Sequence, residues 1–204
     1  MNMMIKRFIL SSFAVLSLCL SGQVKAHGED GHHHHGHSDV NKKITFLAMV
    51  TNKSGRTIGT ALLEETPKGV LMTVDVKDTG ETGWRAIHYH AIADCSPLDG
   101  EIEGKGAFTN SGGHFNPDGT EHGFHHQEGA HAGDMPNIYV HEDGTAKVKI
   151  LNTFVTLHKQ NVEGRASLFD EDGSALIIHE GIDDYKSQPS GAAGPRFACA
   201  VIKQ

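Results

Sequence analysis

The chain is poor in the residues that would simplify its fold. It holds a single tryptophan and three cysteines, and aromatic residues make up 6% of its composition. Three cysteines in 204 residues exclude a disulfide-dense scaffold. No stretch sustains a helical hydrophobic period, which excludes a helical bundle. Basic residues are also scarce, with 18 Lys and Arg against 25 Asp and Glu. A chain of that balance does not seek nucleic acid or anionic lipid by bulk charge. The one long apolar run, Phe8 to Leu20, is too short for a stable membrane span.

That run follows Lys6 and Arg7 and precedes Val24-Lys25-Ala26. Basic, apolar and small-residue regions in this order predict a secretory signal peptide over residues 1–26. Its removal takes away Lys6, Arg7 and Lys25 and no acid, so the formal net charge moves from −7 to −10. Export predicts a periplasmic protein. Two cysteines then remain, Cys95 and Cys199, and an even pair in an exported chain reads as a disulfide, with two buried thiols as the alternative.

Histidine is abundant instead. Six of the sixteen fall in the first stretch after the leader: His27, His32, His33, His34, His35 and His37. Residues 27–41 have almost no apolar content, so they cannot order themselves by burial. They are expected to form a disordered arm that captures borderline metal ions through clustered imidazoles, the alternative being a solvated tail.

From Lys43 the pattern becomes one of short apolar and β-branched runs. Strands are predicted over Lys43–Val50, Arg56–Glu64, Gly69–Val76, Trp84–Ala91, Thr145–Asn152, Ala175–Glu180 and Arg196–Ile202. Ser54-Gly55, Lys68-Gly69, Asp143-Gly144 and Asp172-Gly173 are turn signals between or before them. The prediction for residues 42–204 is one all-β domain, sandwich or barrel. Three long loops interrupt it: Asp94–Gly113, His114–Pro136 and Gly181–Pro195.

Candidate chemistry lies in and beside those loops. His88 and His90 flank Tyr89 on a predicted strand, so both imidazoles point to one face and can reach one metal. By itself such a pair is as readily a surface feature. His114, His122, His131 and Asp134 offer three imidazoles and a carboxylate, a donor set suited to tetrahedral zinc. The competing reading is a polar loop with incidental histidines, since His125, His126 and His141 lie nearby. His179 ends the strand Ala175–Glu180, and Asp183 follows four residues later, where a carboxylate could hold ligand imidazoles in one tautomer.

The stretches GGHFNP, HG and HAGDMPN, then IIHEGIDD, then GPRFACAVI, together resemble the Cu,Zn superoxide dismutases, in a bacterial periplasmic form. The resemblance covers nearly all of residues 43–204. It implies a flattened eight-stranded Greek-key β-barrel with the active site under two long loops. It also implies one copper and one zinc per subunit. Copper would be held by His88, His90, His114 and His179, and zinc by His114, His122, His131 and Asp134, with His114 bridging them. Asp183 would support ligands of both, Arg196 would attract the anion, and Cys95 and Cys199 would pair. The implied activity is dismutation of superoxide to oxygen and peroxide. The alternatives are a copper or zinc carrier on the same fold without significant turnover and, more remotely, a zinc hydrolase. A homodimer is left open. The sequence departs from the family pattern around the first ligands, where Ala86-Ile87, Ala91 and Ala93 replace the usual Gly-Phe, Glu and Gly.

Overall fold

A computed structural model describes residues 43–204 apart from Lys105. The expected signal peptide and histidine arm lie outside the described residues. Eleven strands make up the regular structure: β1 (Thr45–Asn52), β2 (Thr57–Thr66), β3 (Gly69–Val76), β4 (Gly83–Arg85), β5 (Ile87–His90), β6 (Ile138–Val140), β7 (Ala146–Asn152), β8 (Val155–Thr156), β9 (Ala166–Ser167), β10 (Ser174–His179) and β11 (Arg196–Ile202). A three-residue 3₁₀ turn, Thr109–Ser111, is the only helical element among the described residues. None of them forms a helix long and apolar enough to cross a membrane.

Seven strands form one curled sheet in the order β5-β10-β11-β1-β2-β3-β7. β1, β2 and β3 are consecutive hairpin neighbours, as the Ser54-Gly55 and Lys68-Gly69 signals predict. The chain then leaves this order. β7 adds beside β3, while β10, β11 and β5 assemble on the opposite side of β1. The fold class is the all-β architecture expected, but its segments are more broken than an even eight-stranded barrel. The predicted strand Trp84–Ala91 divides at Ala86. Its backbone N–H donates to Gly181 and its carbonyl accepts from His179. β4 therefore pairs with β6, whereas β5 pairs with β10. The β6 strand and the short β8–β9 pair had no clear alternating signal in sequence.

Alternation sets the core. Ala48 and Val50, Ala61 and Leu63, and Val70, Met72, Val74 and Val76 are buried, and they line one face of their strands. The strands nearest the long loops differ. All six residues of β10 and all four of β5 are buried, because the loops cover the second face. A smaller cluster, formed by Ala107, Phe108, Ala175, Ile177 and Cys199, seats the first long loop on that second face. Cys95 and Cys199 are disulfide-bonded, tying the same loop to β11.

Candidate metal centre

β5 sends His88 and His90 to the loop-covered face, and Tyr89 between them into the core. Two isolated bridges bring the second loop onto this strand, joining His88 to Asp134 and His90 to His114. β10 lies alongside β5, and its register against β11 shifts between Ile178 and His179. Such bulges re-aim a side chain at the end of a ladder. The rings of His88 and His179 come to lie 5.1 Å apart, and those of His90 and His179 5.6 Å apart.

Two groups of donors result. His88, His90, His114 and His179 each place one ligand atom within 4.8 Å of the others, as do His114, His122, His131 and Asp134. In the first group each strand histidine uses one ring nitrogen to anchor itself. His88 Nε2 contacts Asp183 Oδ2 at 2.8 Å, His90 Nδ1 donates to Gly112 O at 2.9 Å and His179 Nδ1 donates to Gly194 O at 3.1 Å. The other nitrogens, His88 Nδ1, His90 Nε2 and His179 Nε2, are buried without a partner, and so is His114 Nε2. Four orphaned imidazole nitrogens facing one another would be costly in a dry core. A cation among them removes that cost, so the group fits a metal on its own geometry.

The second group converges through different atoms. His114 Nδ1 lies 2.8 Å from Asp134 Oδ1 and 3.3 Å from His131 Nδ1. His122 Nδ1 comes within 3.0 Å of Asp134 Oδ2 but makes no hydrogen bond. Asp134 Oδ2 also accepts the backbone N–H groups of Gly123 and His131. Three imidazoles and a carboxylate suit zinc. His114 belongs to both groups, presenting Nε2 to one and Nδ1 to the other.

Electrostatics point the same way. Burial holds the His114 imidazole down to about 4 despite the raising effect of Asp134. Burial, then the neighbouring His88, brings His179 down to about 3. Burial also keeps His90 well below the usual imidazole range, with His114 adding to the effect. Rings that stay neutral are rings that can bind metal. His122 runs opposite. Burial would lower it, but the close carboxylates of Asp134 and Asp183 outweigh burial and raise it to about 9. Those two carboxylates prefer a positive charge at His122, whether from a proton or from a cation on the same ring. Burial would raise both acids, yet their bonds to histidine hold Asp134 and Asp183 below the ordinary carboxylate range.

Asp183 links the groups, with Oδ1 3.0 Å from His122 Nε2 and Oδ2 on His88. Its neighbour Gly191 has a reason to be glycine: a Cβ there would fall 1.8 Å from Asp183 Oδ1. Gln188 grips the backbone of His122 from both sides, accepting its N–H and donating to its carbonyl, each at 2.9 Å. Sequence reasoning missed Gln188 because a glutamine in a polar loop carries no pattern. Arg196 begins β11, three residues before the disulfide-bonded Cys199. Together with His90, His114, His179, Pro189 and Ser190 it lines a cavity of about 400 Å³.

Comparison with known proteins agrees with this geometry. Residues 57–202 match the family model for copper/zinc superoxide dismutase. The chain belongs to the copper/zinc superoxide dismutase family. It is 46% identical over 156 residues to Superoxide dismutase [Cu-Zn] 2 of Aquifex aeolicus, covering 76% of this chain and 85% of that one. It is 36% identical over 157 residues to the Cu-Zn superoxide dismutase of Caulobacter vibrioides, covering 76% and 84%. Among solved structures, a superoxide dismutase-like protein from Bacillus subtilis aligns with TM-score 0.68 at 31% identity, over 76% of this chain and 97% of that one. The Cu/Zn superoxide dismutase of Brucella abortus aligns with TM-score 0.61 at 26% identity, over 78% and 99%.

Proposed function

We propose that this chain converts two superoxide anions and two protons to oxygen and hydrogen peroxide. The observation that carries the reading is His114, whose two nitrogens serve two adjoining donor groups beside one cavity that Arg196 also lines. His88, His90, His114 and His179 would hold copper, and His114, His122, His131 and Asp134 would hold zinc. Copper held there supplies one-electron exchange with successive superoxide anions, and zinc supplies fixed charge and geometry without redox chemistry. Asp183 keeps the His88 and His122 rings oriented through its two oxygens. Arg196 sets a local positive charge at the cavity of an otherwise acidic protein, which focuses an anion toward the histidines. With Nδ1 given to the zinc group, His114 Nε2 is the ring atom that would carry a proton, and return it to the cavity, whenever copper does not occupy it.

The test is superoxide consumption by protein loaded with both metals, compared with His179→Ala and Arg196→Glu. Turnover in the parent, its abolition in His179→Ala and a strong slowing in Arg196→Glu support the reading. A folded, metal-loaded parent without turnover favours the carrier alternative instead. The signal-peptide pattern of residues 1–26 supports delivery to the periplasm, and sedimentation of the loaded protein distinguishes monomer from homodimer. The histidines of residues 27–37 support a metal-gathering role for the arm. Deleting 27–41 should then slow reactivation of metal-free protein at sub-stoichiometric copper, while leaving fully loaded activity unchanged.

A further inference from the structure

Arg196 is a long side chain with about 2 kcal/mol of rotamer entropy to lose when it is held in one place. Three acceptors hold it. Nη1 donates to the Phe108 carbonyl and to Ser111 Oγ, the latter at 3.0 Å, and Nη2 donates to the Gly112 carbonyl. Two of the three are backbone. Among the described residues Ser111 Oγ is the only side-chain acceptor, and Ser111 is fully buried.

The hydroxyl has one defined arrangement. Ser111 Oγ donates its single proton to Phe108 O at 3.0 Å. Its lone pairs are thereby left to accept from Arg196 Nη1. The chain of contacts runs from guanidinium to hydroxyl to carbonyl. Its base is fixed: Phe108 takes a left-handed backbone, φ 60°, and its ring is fully buried in the cluster with Ala175, Ile177 and Cys199. Phe108 O also accepts the Ser111 N–H at 3.1 Å, so the turn closes without the hydroxyl. The fold does not need Ser111 Oγ for the turn, whereas the guanidinium uses it directly. Gly112 O meanwhile accepts from both Arg196 Nη2 and His90 Nδ1, so the guanidinium and a donor-group histidine share one anchor.

We propose that Ser111 is a positioning residue for the anion: its buried hydroxyl fixes the plane of the Arg196 guanidinium relative to the histidine donors. The inference rests on the proposed function, in which Arg196 meets the substrate. Without the hydroxyl, Nη1 keeps one partner, and the guanidinium can rotate about its remaining contacts. Positioning errors of about 1 Å cost up to roughly 100-fold in enzymes, and one lost contact of three should cost less.

The experiment uses the full chain loaded with copper and zinc, with azide as a monoanionic probe read by its charge-transfer absorption on copper. Ser111→Ala should weaken azide binding about 5- to 10-fold and lower kcat/KM for superoxide by a similar factor. Melting temperature and metal content should stay at parent values. Ser111→Cys preserves side-chain shape with a weak acceptor and should show the same loss, which covers the event that alanine disturbs folding. In an Arg196→Ala background, Ser111→Ala should change azide affinity less than twofold, because the group it orients is gone. Equal losses in both backgrounds would make Ser111 a residue of the fold and overturn the proposal. An active parent whose azide affinity ignores both Ser111 substitutions would overturn it as well. A loaded parent that neither binds azide nor consumes superoxide would sink the proposed function itself, a failure visible before any Ser111 variant is made.

Discussion

Asp183 Oδ2 lies 2.8 Å from His88 Nε2, and neither side chain has any exposure to solvent. The other carboxylate oxygen reaches His122 at 3.0 Å. One buried carboxylate therefore orients a histidine from each donor group. Asp183→Asn keeps the shape but presents a donating NH₂ to one of two ring nitrogens that themselves donate. Replacing a group of this kind typically costs 10–100-fold in metal affinity. Both copper and zinc affinities should fall by about that factor, measured by competition with a chromophoric chelator. Parent-like affinity for both metals would show that the rings are held without Asp183.

Asp134 acts on the loop as well as on the rings. Its carboxylate meets His114 and His122 and accepts backbone N–H groups of Gly123 and His131. Asp134→Ala leaves those amides and rings without their buried acceptor, a loss of about 3–5 kcal/mol. The thermal midpoint of the zinc-loaded protein should fall by about 10 °C, with zinc content well below one per chain. Calorimetry with metal analysis of the same sample checks both.

Strand positions 69–76 and 196–202 were legible to the residue, because a turn dipeptide or a proline bounds each largely apolar run. His88 and His90 were legible through a spacing of two on a strand. The convergence of His179 with them was not, since a lone histidine carries no spacing and its aim depends on a bulge. Ala86 looked like any strand residue, and the break there arises from hydrogen bonds to residues more than ninety positions away. Ser111, Gln188 and Gly191 escaped for a related reason. Ser111 and Gln188 act through contacts to residues far along the chain, Arg196 and His122, and Gly191 acts by leaving room for Asp183 eight positions away, none of which a local pattern encodes.

In the metal-free protein, acid should be destabilising early. His114 and His179 titrate near 6.5 when unfolded but are held at about 4 and about 3 when folded. With folded values depressed, their contribution is present above pH 6.5 and lost as pH falls toward 3 to 4. Asp134 and Asp183, also depressed, add to the loss only below their unfolded value of 3.8. His122, raised to about 9, contributes below 6.5 and is lost as pH rises through 9. The melting temperature of chelator-treated protein should therefore peak near pH 6.5 and fall between pH 6 and pH 4. A flat profile across that interval would show that these rings are solvated once metal is absent.

The disulfide joins stability to the anion-facing side of the site. Cys95 and Cys199 close a loop spanning 104 positions, and a closure of that length contributes about 4–5 kcal/mol in the chain-entropy model. Cys199 is fully buried in β11, three residues from Arg196. The loop tied down by Cys95 carries Phe108, Ser111 and Gly112, the three residues that hold the Arg196 guanidinium. Cys95→Ser with Cys199→Ala should lower the melting temperature by about 10–20 °C, given roughly 2–4 °C per kcal/mol for a domain of this size. It should also loosen the loop on β11, because the Phe108 cluster loses its covalent tie. Azide affinity of the copper-loaded variant should fall, while the zinc group, anchored by Asp134 and Gln188 on the other loops, keeps its metal. Measuring melting temperature, azide binding and zinc content on one preparation separates these effects. A variant that loses zinc as readily as azide affinity would mean that the disulfide supports the whole site rather than the Arg196 side of it.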